Sequence, residues 1–209
     1  MNVTRLYFES QEAPATLPRH RHDLDRETVR ASQELRILRA TAEVVAAKGY
    51  AGASVAAIVK EAGVSTKTFY ALYKDKEDAF LAAYAAIDVV IAAMTAAAAE
   101  HDDPEERIRA GVAAYLHILA REPAITRTLV IEAVGAGPRV LKRRAKAFDD
   151  LVEVLRDNLG DDAPPDSILL ALLGGINELT LQHLLKHGAE SLPDLQPTVD
   201  DLVTAVCFR

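Results

Sequence analysis

Apolar residues recur at three- and four-residue steps along most of this chain, and nowhere do they alternate with polar ones for long enough to make a strand. The first clear run begins at Glu34. There Leu35, Leu38, Ala42, Val45 and Ala46 share one side of a helix that "KGY" closes, with Gly49 free to take a left-handed cap conformation. Ser54 suits the N-cap of "VAAIVKEA", whose Ala57, Ile58 and Ala62 lie inward, and Gly63 stops that helix after two turns. Val64 is the apolar residue of the turn. Ser65 caps "TKTFYALY", in which Phe69 and Leu72 or Tyr73 point back to the core. Asp75 then caps a long helix, with Glu77 and Asp78 well placed against the positive end of its dipole.

Beyond this point the period predicts one helix from Asp75 to about Glu100, a second from Pro104 to Glu122, and a third from Pro123 to about Val134. "PRVLKRRAKAFDDLVEVLRDNLG" is amphipathic, with Val140, Leu141, Ala145, Phe148, Val152 and Leu155 near one side. "DDAPPD" is a loop, after which Asp166 can cap a strongly apolar helix over Ser167–His187, and a last helix covers about Leu195–Phe208. Residues 1–32, broken by Pro14 and Pro18 and carrying "RHRH" at 19–22, are expected to form a flexible arm. That arm is either a passive tail or a basic reach towards DNA. The expected architecture is all-α: the arm, a helix-turn-helix domain at 33–80, and a larger helical domain at 81–209.

Composition agrees with helices, since half of the 209 residues are apolar while aromatics make up only 5 % and Trp is absent. One cysteine excludes an internal disulfide and a cysteine-based zinc site, and Cys207, at helical spacing from Val199, Val203 and Val206, reads as a small core residue. The N-terminus shows no secretory leader pattern and no charge-free apolar run reaches about 18 residues, so the expectation is a cytoplasmic protein with no membrane partner. The net charge of −7 would argue against a polyanion were it evenly spread. It is not: residues 1–78 hold 12 Lys and Arg against 11 Asp and Glu, and residues 79–209 hold 12 against 20.

Two short helices joined by a Gly-containing turn, the second led by small hydroxyl residues, make a helix-turn-helix. The first braces the second, which can then enter a major groove. The candidate DNA-binding residues are Ser54, Ser65, Thr66, Lys67, Thr68, Tyr70, Tyr73 and Lys76. Ser65 and Thr66 are small enough for backbone to approach phosphates, Lys67 and Thr68 are placed for base edges, and Tyr70 and Lys76 for phosphates. "ATAEVVAAKGYAGASVAAIVKEAGVSTKTFYALYKDKEDAF", residues 40–80, resembles the DNA-binding domain of the TetR family of transcriptional regulators. Lys67 stands where many members have Gly, and Tyr73 where Phe is usual.

The resemblance implies an all-helical homodimer, with a palindromic double-stranded DNA operator and a small-molecule effector as partners. It implies a repressor that its effector releases, and no cofactor, metal or enzymatic role. A different reading, a small-molecule-binding protein or enzyme with a vestigial helix-turn-helix, would not need the polar face of Ser65–Tyr70. In the family the last two long helices pair with those of the partner, so Leu169, Leu172, Leu173, Ile176, Leu184, Leu202 and Val206 are the expected dimer interface. Tyr84, Met94, Tyr115, His117, Phe148, Asn177 and Gln182 are the bulky or polar candidates for an effector pocket. His183 and His187, four apart, have the spacing of a ligand pair but suit a surface or interface better. The five basic residues of 138–147 are either a second nucleic-acid patch or the solvated face of an amphipathic helix.

Overall fold

The first helix, α1 (Arg26–Gly52), opens the computed structural model, which describes residues 26–208. Residues 26–32, expected in the arm, are helical, because Arg26, Glu27, Arg30 and Ala31 are strong helix formers that need no apolar stripe to extend α1 by two turns. The rest of the expected arm, "RHRH" included, lies outside the described residues. Gly49 interrupts α1 with φ 69°, as its place in "KGY" predicts.

The bracing helix α2 (Val55–Ala62) is capped by Ser54, whose hydroxyl accepts the Ala57 N–H at 3.2 Å. Gly63 ends it in the left-handed region, φ 58° and ψ 36°. Helix α3 (Thr66–Leu72) is capped by Ser65 and α4 (Lys76–Tyr84) by Asp75. The long helix expected over 75–100 bends at Ala85, so α4 is followed by a separate α5 (Ala86–Ala98). Then come α6 (Pro104–Arg121), α7 (Pro123–Val130), α8 (Pro138–Leu159), α9 (Asp166–His187) and α10 (Gln196–Cys207), with short 3-10 turns before α8, α9 and α10. No strand occurs among the described residues.

Helix α5 lies along α6, α8 along α9, and α10 closes on α6, while α1 packs on both α4 and α7. The expected boundary near residue 80 therefore falls inside α4, which packs on α1 from one side and on α8 from the other. By length and mean hydropathy alone (1.9 and 1.4), the stretches 76–98 and 166–187 could cross a bilayer, although, as the sequence leads one to expect, neither is free of charged residues. The fold turns much of that apolar surface inward: Phe80, Val90, Leu169 and Leu172 are core residues. Cys207 is buried, as expected.

One side chain holds the helix-turn-helix angle. Arg36, on α1, donates from Nη2 to the carbonyls of Ala62 and Gly63 (2.6 Å to the latter), satisfying the C-terminal end of α2. A Cβ on Gly63 would stand 2.7 Å from that Nη2. Gly63→Ala combines a left-handed backbone cost of about 1–2 kcal/mol with displacement of Arg36. We expect its thermal midpoint to fall by about 2–4 °C per kcal/mol, and DNA affinity to fall with it. An unchanged midpoint in a thermal melt would refute this account of the turn.

Candidate nucleic-acid interface and enclosed cavity

The face that α3 presents outward carries Thr66, Lys67 and Tyr70, the phenol ring of Tyr70 being 57 % exposed. Phe69 is fully buried beneath them and meets the Tyr70 ring edge-on at 5.4 Å, which fixes how the helix sits on its support. The hydroxyls of Ser65 and Thr68 are engaged with each other: Ser65 Oγ accepts the Thr68 N–H at 3.0 Å and lies 2.9 Å from Thr68 Oγ1. Thr68 is half-buried in this pairing, so its expected reach to a base edge is shortened. Ser54 is exposed at its cap. Arg30 and Gln33 of α1, which the sequence reading assigned to the arm or passed over, border the same depression as Lys67, Thr68, Ala71 and Leu72.

Two of the expected DNA-facing residues are turned inward. Tyr73 is buried against Phe69, ring centroids 5.8 Å apart, and its hydroxyl is sealed without a hydrogen-bond partner among the described residues. Burial pushes that phenol well above its usual pKa. Lys76 reaches back from α4 to the end of α1, donating to the carbonyls of Tyr50 (2.7 Å) and Ala53 (3.0 Å) with its Nζ 4.1 Å from the centre of the Tyr50 ring. Its ammonium completes a helix end that lacks its own donors, which is why it leaves the surface.

The basic segment of α8 is spent within the fold. Arg139 pairs with Asp78 at 2.7 Å, and its backbone N–H donates to Glu77 at 3.1 Å. Arg143 pairs with Asp88, Lys146 with Asp150 at 2.7 Å, and Arg144 lies over the Phe148 ring. Hydrogen bonding from Arg139, then from the Lys74 N–H, holds the Asp78 carboxyl below its usual range. These pairings favour the solvated-face reading over a second nucleic-acid patch.

Between α4, α5, α6, α8 and α9 runs an enclosed, mostly apolar cavity. Tyr84, Met94, Tyr115, Phe148 and Asn177 line it, as the sequence reading anticipates. Burial pushes the Tyr84 phenol up to about 12 and raises that of Tyr115, so both remain protonated donors at neutral pH. His117 and Gln182 do not belong. His117 is exposed with Nδ1 2.8 Å from the Ala113 carbonyl, and Gln182 donates to Glu178 at 2.8 Å on the outer side of α9. Arg107 and Asn158 line the cavity instead, and nothing in their spacing distinguishes them from surface residues on amphipathic helices.

The expected dimer residues divide by burial. Leu169, Leu172, Leu173, Ile176 and Leu184 are buried within the single chain, and Leu172, Leu173 and Ile176 line the cavity. Leu202 and Val206 are half-buried in the same core, Leu202 against Gly175. The apolar residues that α9 leaves outside are Ile168, Leu170 and Leu185, the last 59 % exposed. Apolar content cannot tell the two sides of a helix that is apolar all round. His183 bonds the Ser191 hydroxyl through Nε2 at 2.9 Å and stacks near His187. Among the described residues no group of three metal-ligating side chains forms.

Residues 37–83, which run from α1 through the turn into α4, match the family described as bacterial regulatory proteins, tetR family. The helix-turn-helix domain is therefore of the tetR-family type. Among curated proteins no sequence matches it. Solved TetR-family structures share the fold over about four fifths of the chain. The fatty acid degradation regulator FadR from Bacillus halodurans is 19 % identical over 81 % of this chain and 93 % of its own, with a TM-score of 0.74. FadR from Bacillus subtilis, solved in complex with stearoyl-CoA, is 20 % identical over 80 % and 96 %, with a TM-score of 0.72. A tetR-family regulatory protein from Rhodococcus RHA1 is 24 % identical over 84 % and 96 %, with a TM-score of 0.69. At these identities the likeness establishes the fold and its two parts: a TetR-family helix-turn-helix domain followed by a larger helical domain.

The sealed hydroxyl of Tyr73 makes a direct prediction. An unsatisfied buried polar group costs about 1–3 kcal/mol, so Tyr73→Phe raises the thermal midpoint and leaves the salt dependence of DNA binding unchanged. A fall in both would return Tyr73 to the interface.

Proposed function

We propose that this TetR-family protein is a homodimeric transcriptional repressor that binds a palindromic operator and releases it when a small molecule occupies the helical domain. The observation that carries the reading is the placement of α4: one end holds the helix-turn-helix and the other supplies Tyr84 to the cavity wall. Thr66, Lys67 and Tyr70 enter the major groove, with Arg30 and Gln33 alongside on α1. Lys76 and Tyr73 act through positioning. Two copies are required because one short recognition helix buries too little surface for useful specificity. The outer face of α9, with Leu170 and Leu185, supports pairing with a second copy.

Release is a shift between two conformers. A ligand that fills the cavity favours the arrangement in which α4 has moved, and half-site spacing no longer fits one operator. Moving such an equilibrium from mostly bound to mostly released needs about 5.5 kcal/mol of differential affinity. The stearoyl-CoA bound to the Bacillus subtilis FadR is a precedent in the same fold for an effector with a long apolar portion.

Selection of bound sequences from random DNA tests the reading: a recovered palindrome supports it, and equal competition by any DNA favours the vestigial-motif alternative. Lys67→Ala relaxes discrimination between operator variants, whereas Arg30→Ala weakens all sequences and flattens the salt slope. Leu170→Glu with Leu185→Glu yields folded monomers in sedimentation analysis and weakens operator binding. Leu169→Ala instead costs about 2–5 kcal/mol of fold stability, as a core truncation does. A double glutamate variant that remains dimeric would place the interface elsewhere.

A further inference from the structure

The cavity's shape and the two polar side chains at its far end specify a ligand class. Along α5 it extends from Ile87 to Ala98, a span of about 16 Å at the helical rise. The centre of a water molecule can occupy about 90 Å³ of it. Set against that span, so small a volume describes a bore that is narrow on average. A methylene chain, whose carbons pack at about 3.5–4 Å from their neighbours, fits such a bore, and a fused ring system does not. The walls are Ile87, Val90, Met94, Val112, Leu151 and Leu155.

At the end formed by the last turn of α5, the start of α6 and the last turn of α8 stand Arg107 and Asn158. Arg107 Nε is sealed from solvent with no acceptor, and its side chain makes no ion pair among the described residues. Asn158 donates from Nδ2 to the Val154 carbonyl at 2.7 Å, leaving its equally sealed Oδ1 without a donor. Both residues are only half-buried, but an N–H and an amide oxygen left unpaired where the two line an apolar cavity are costly unless a ligand, reached by a small rotation of either side chain, completes them. The polar groups at the other end, Tyr84 and Tyr115, are neutral phenols.

We infer that the cavity binds an unbranched aliphatic carboxylic acid of about a dozen carbons, carboxylate on Arg107 and chain towards Tyr84. Carbon–carbon bonds of about 1.5 Å advance an extended chain by about 1.25 Å each, which sets the length. The carboxylate accepts from Arg107 Nε, and Asn158 turns its amide to donate a second bond or accepts from a ligand hydroxyl near the head. This assignment rests on the reading of the helical domain as an effector domain, and binding is measured without DNA to keep the two separable.

Calorimetric titration of the full chain with dodecanoate, dodecan-1-ol, dodecanoyl-CoA and a tricyclic carboxylate of similar carbon number tests it. Dodecanoate binds, the tricyclic acid does not, and Arg107→Gln weakens dodecanoate about tenfold or more while changing dodecan-1-ol little. Thermal melting of the unliganded variant is measured first, and Asn158→Leu carries the same comparison if Arg107→Gln does not fold. Equal dodecanoate affinity in folded wild type and variants overturns the head-group assignment. Binding of dodecanoyl-CoA alone also overturns it, and moves the head to the basic segment near Arg144. Failure of every linear compound overturns the ligand class, while a palindromic operator released by some other molecule would leave the proposed function standing.

Discussion

Five residues at the end of α1 hold the two parts of this molecule in register. Gly49 breaks the helix; the Ala53 N–H still bonds the Gly49 and Tyr50 carbonyls, while other backbone groups of this stretch are met from outside it. Lys76 supplies donors to two of the carbonyls, and Glu132, beyond α7, accepts the Tyr50 N–H at 2.8 Å. Arg127 lies 3.9 Å from the same carboxylate, and Tyr50 meets the ring of Phe80 on α4 edge-on. Bracing helix, connecting helix and helical domain thus converge on one pentapeptide. None of these groups can move alone without leaving a partly buried polar atom unpaired, which is the kind of constraint that makes neighbouring elements shift together.

The acidic first turn of α4 adds a second tie. Asp75, Glu77 and Asp78 complement the positive end of the helix dipole, and Arg139 of α8 gathers beside all three. The tie is half-exposed, so solvent and salt weaken it, and it orients more than it stabilises. Its contribution is present above the ordinary carboxylate pKa and disappears as pH falls through the depressed value of Asp78. On the proposed reading, a contact of this strength between α8 and the start of α4 can be broken by modest differential binding, which a fully buried pair could not.

The helix-turn-helix was legible because its features are local. Caps at Ser54, Ser65 and Asp75, and the positive φ of Gly49 and Gly63, follow from residue type and position within a few neighbours. Tertiary partners were not legible. Lys76 reads as a surface lysine, and only the proximity of the α1 terminus shows where its charge goes. Tyr73 reads as a phenol available to DNA, and only the packing of Phe69 shows that it is sealed. Helix α9 is apolar on every side, so its inner leucines could not be told from its outer ones. Arg107 and Asn158 are polar residues on amphipathic helices, and their open hydrogen-bonding groups become visible only once the helices enclose them.

The bend at Ala85 divides the long helix where it meets the cavity. On one side of it α4 packs on α1, and on the other α5 lies along α6. Tyr84 and Ile87 sit on either side of it and both face the cavity. On the proposed reading, a chain entering the slot presses on the residues that set this bend. Close-packed interiors transmit such a displacement and do not absorb it. The other end of α4, about 12 Å away at the helical rise, carries Lys76 and the acidic turn. A bore that only just admits its ligand is therefore the arrangement that converts occupancy into movement, since a roomy pocket would fill without displacing its walls.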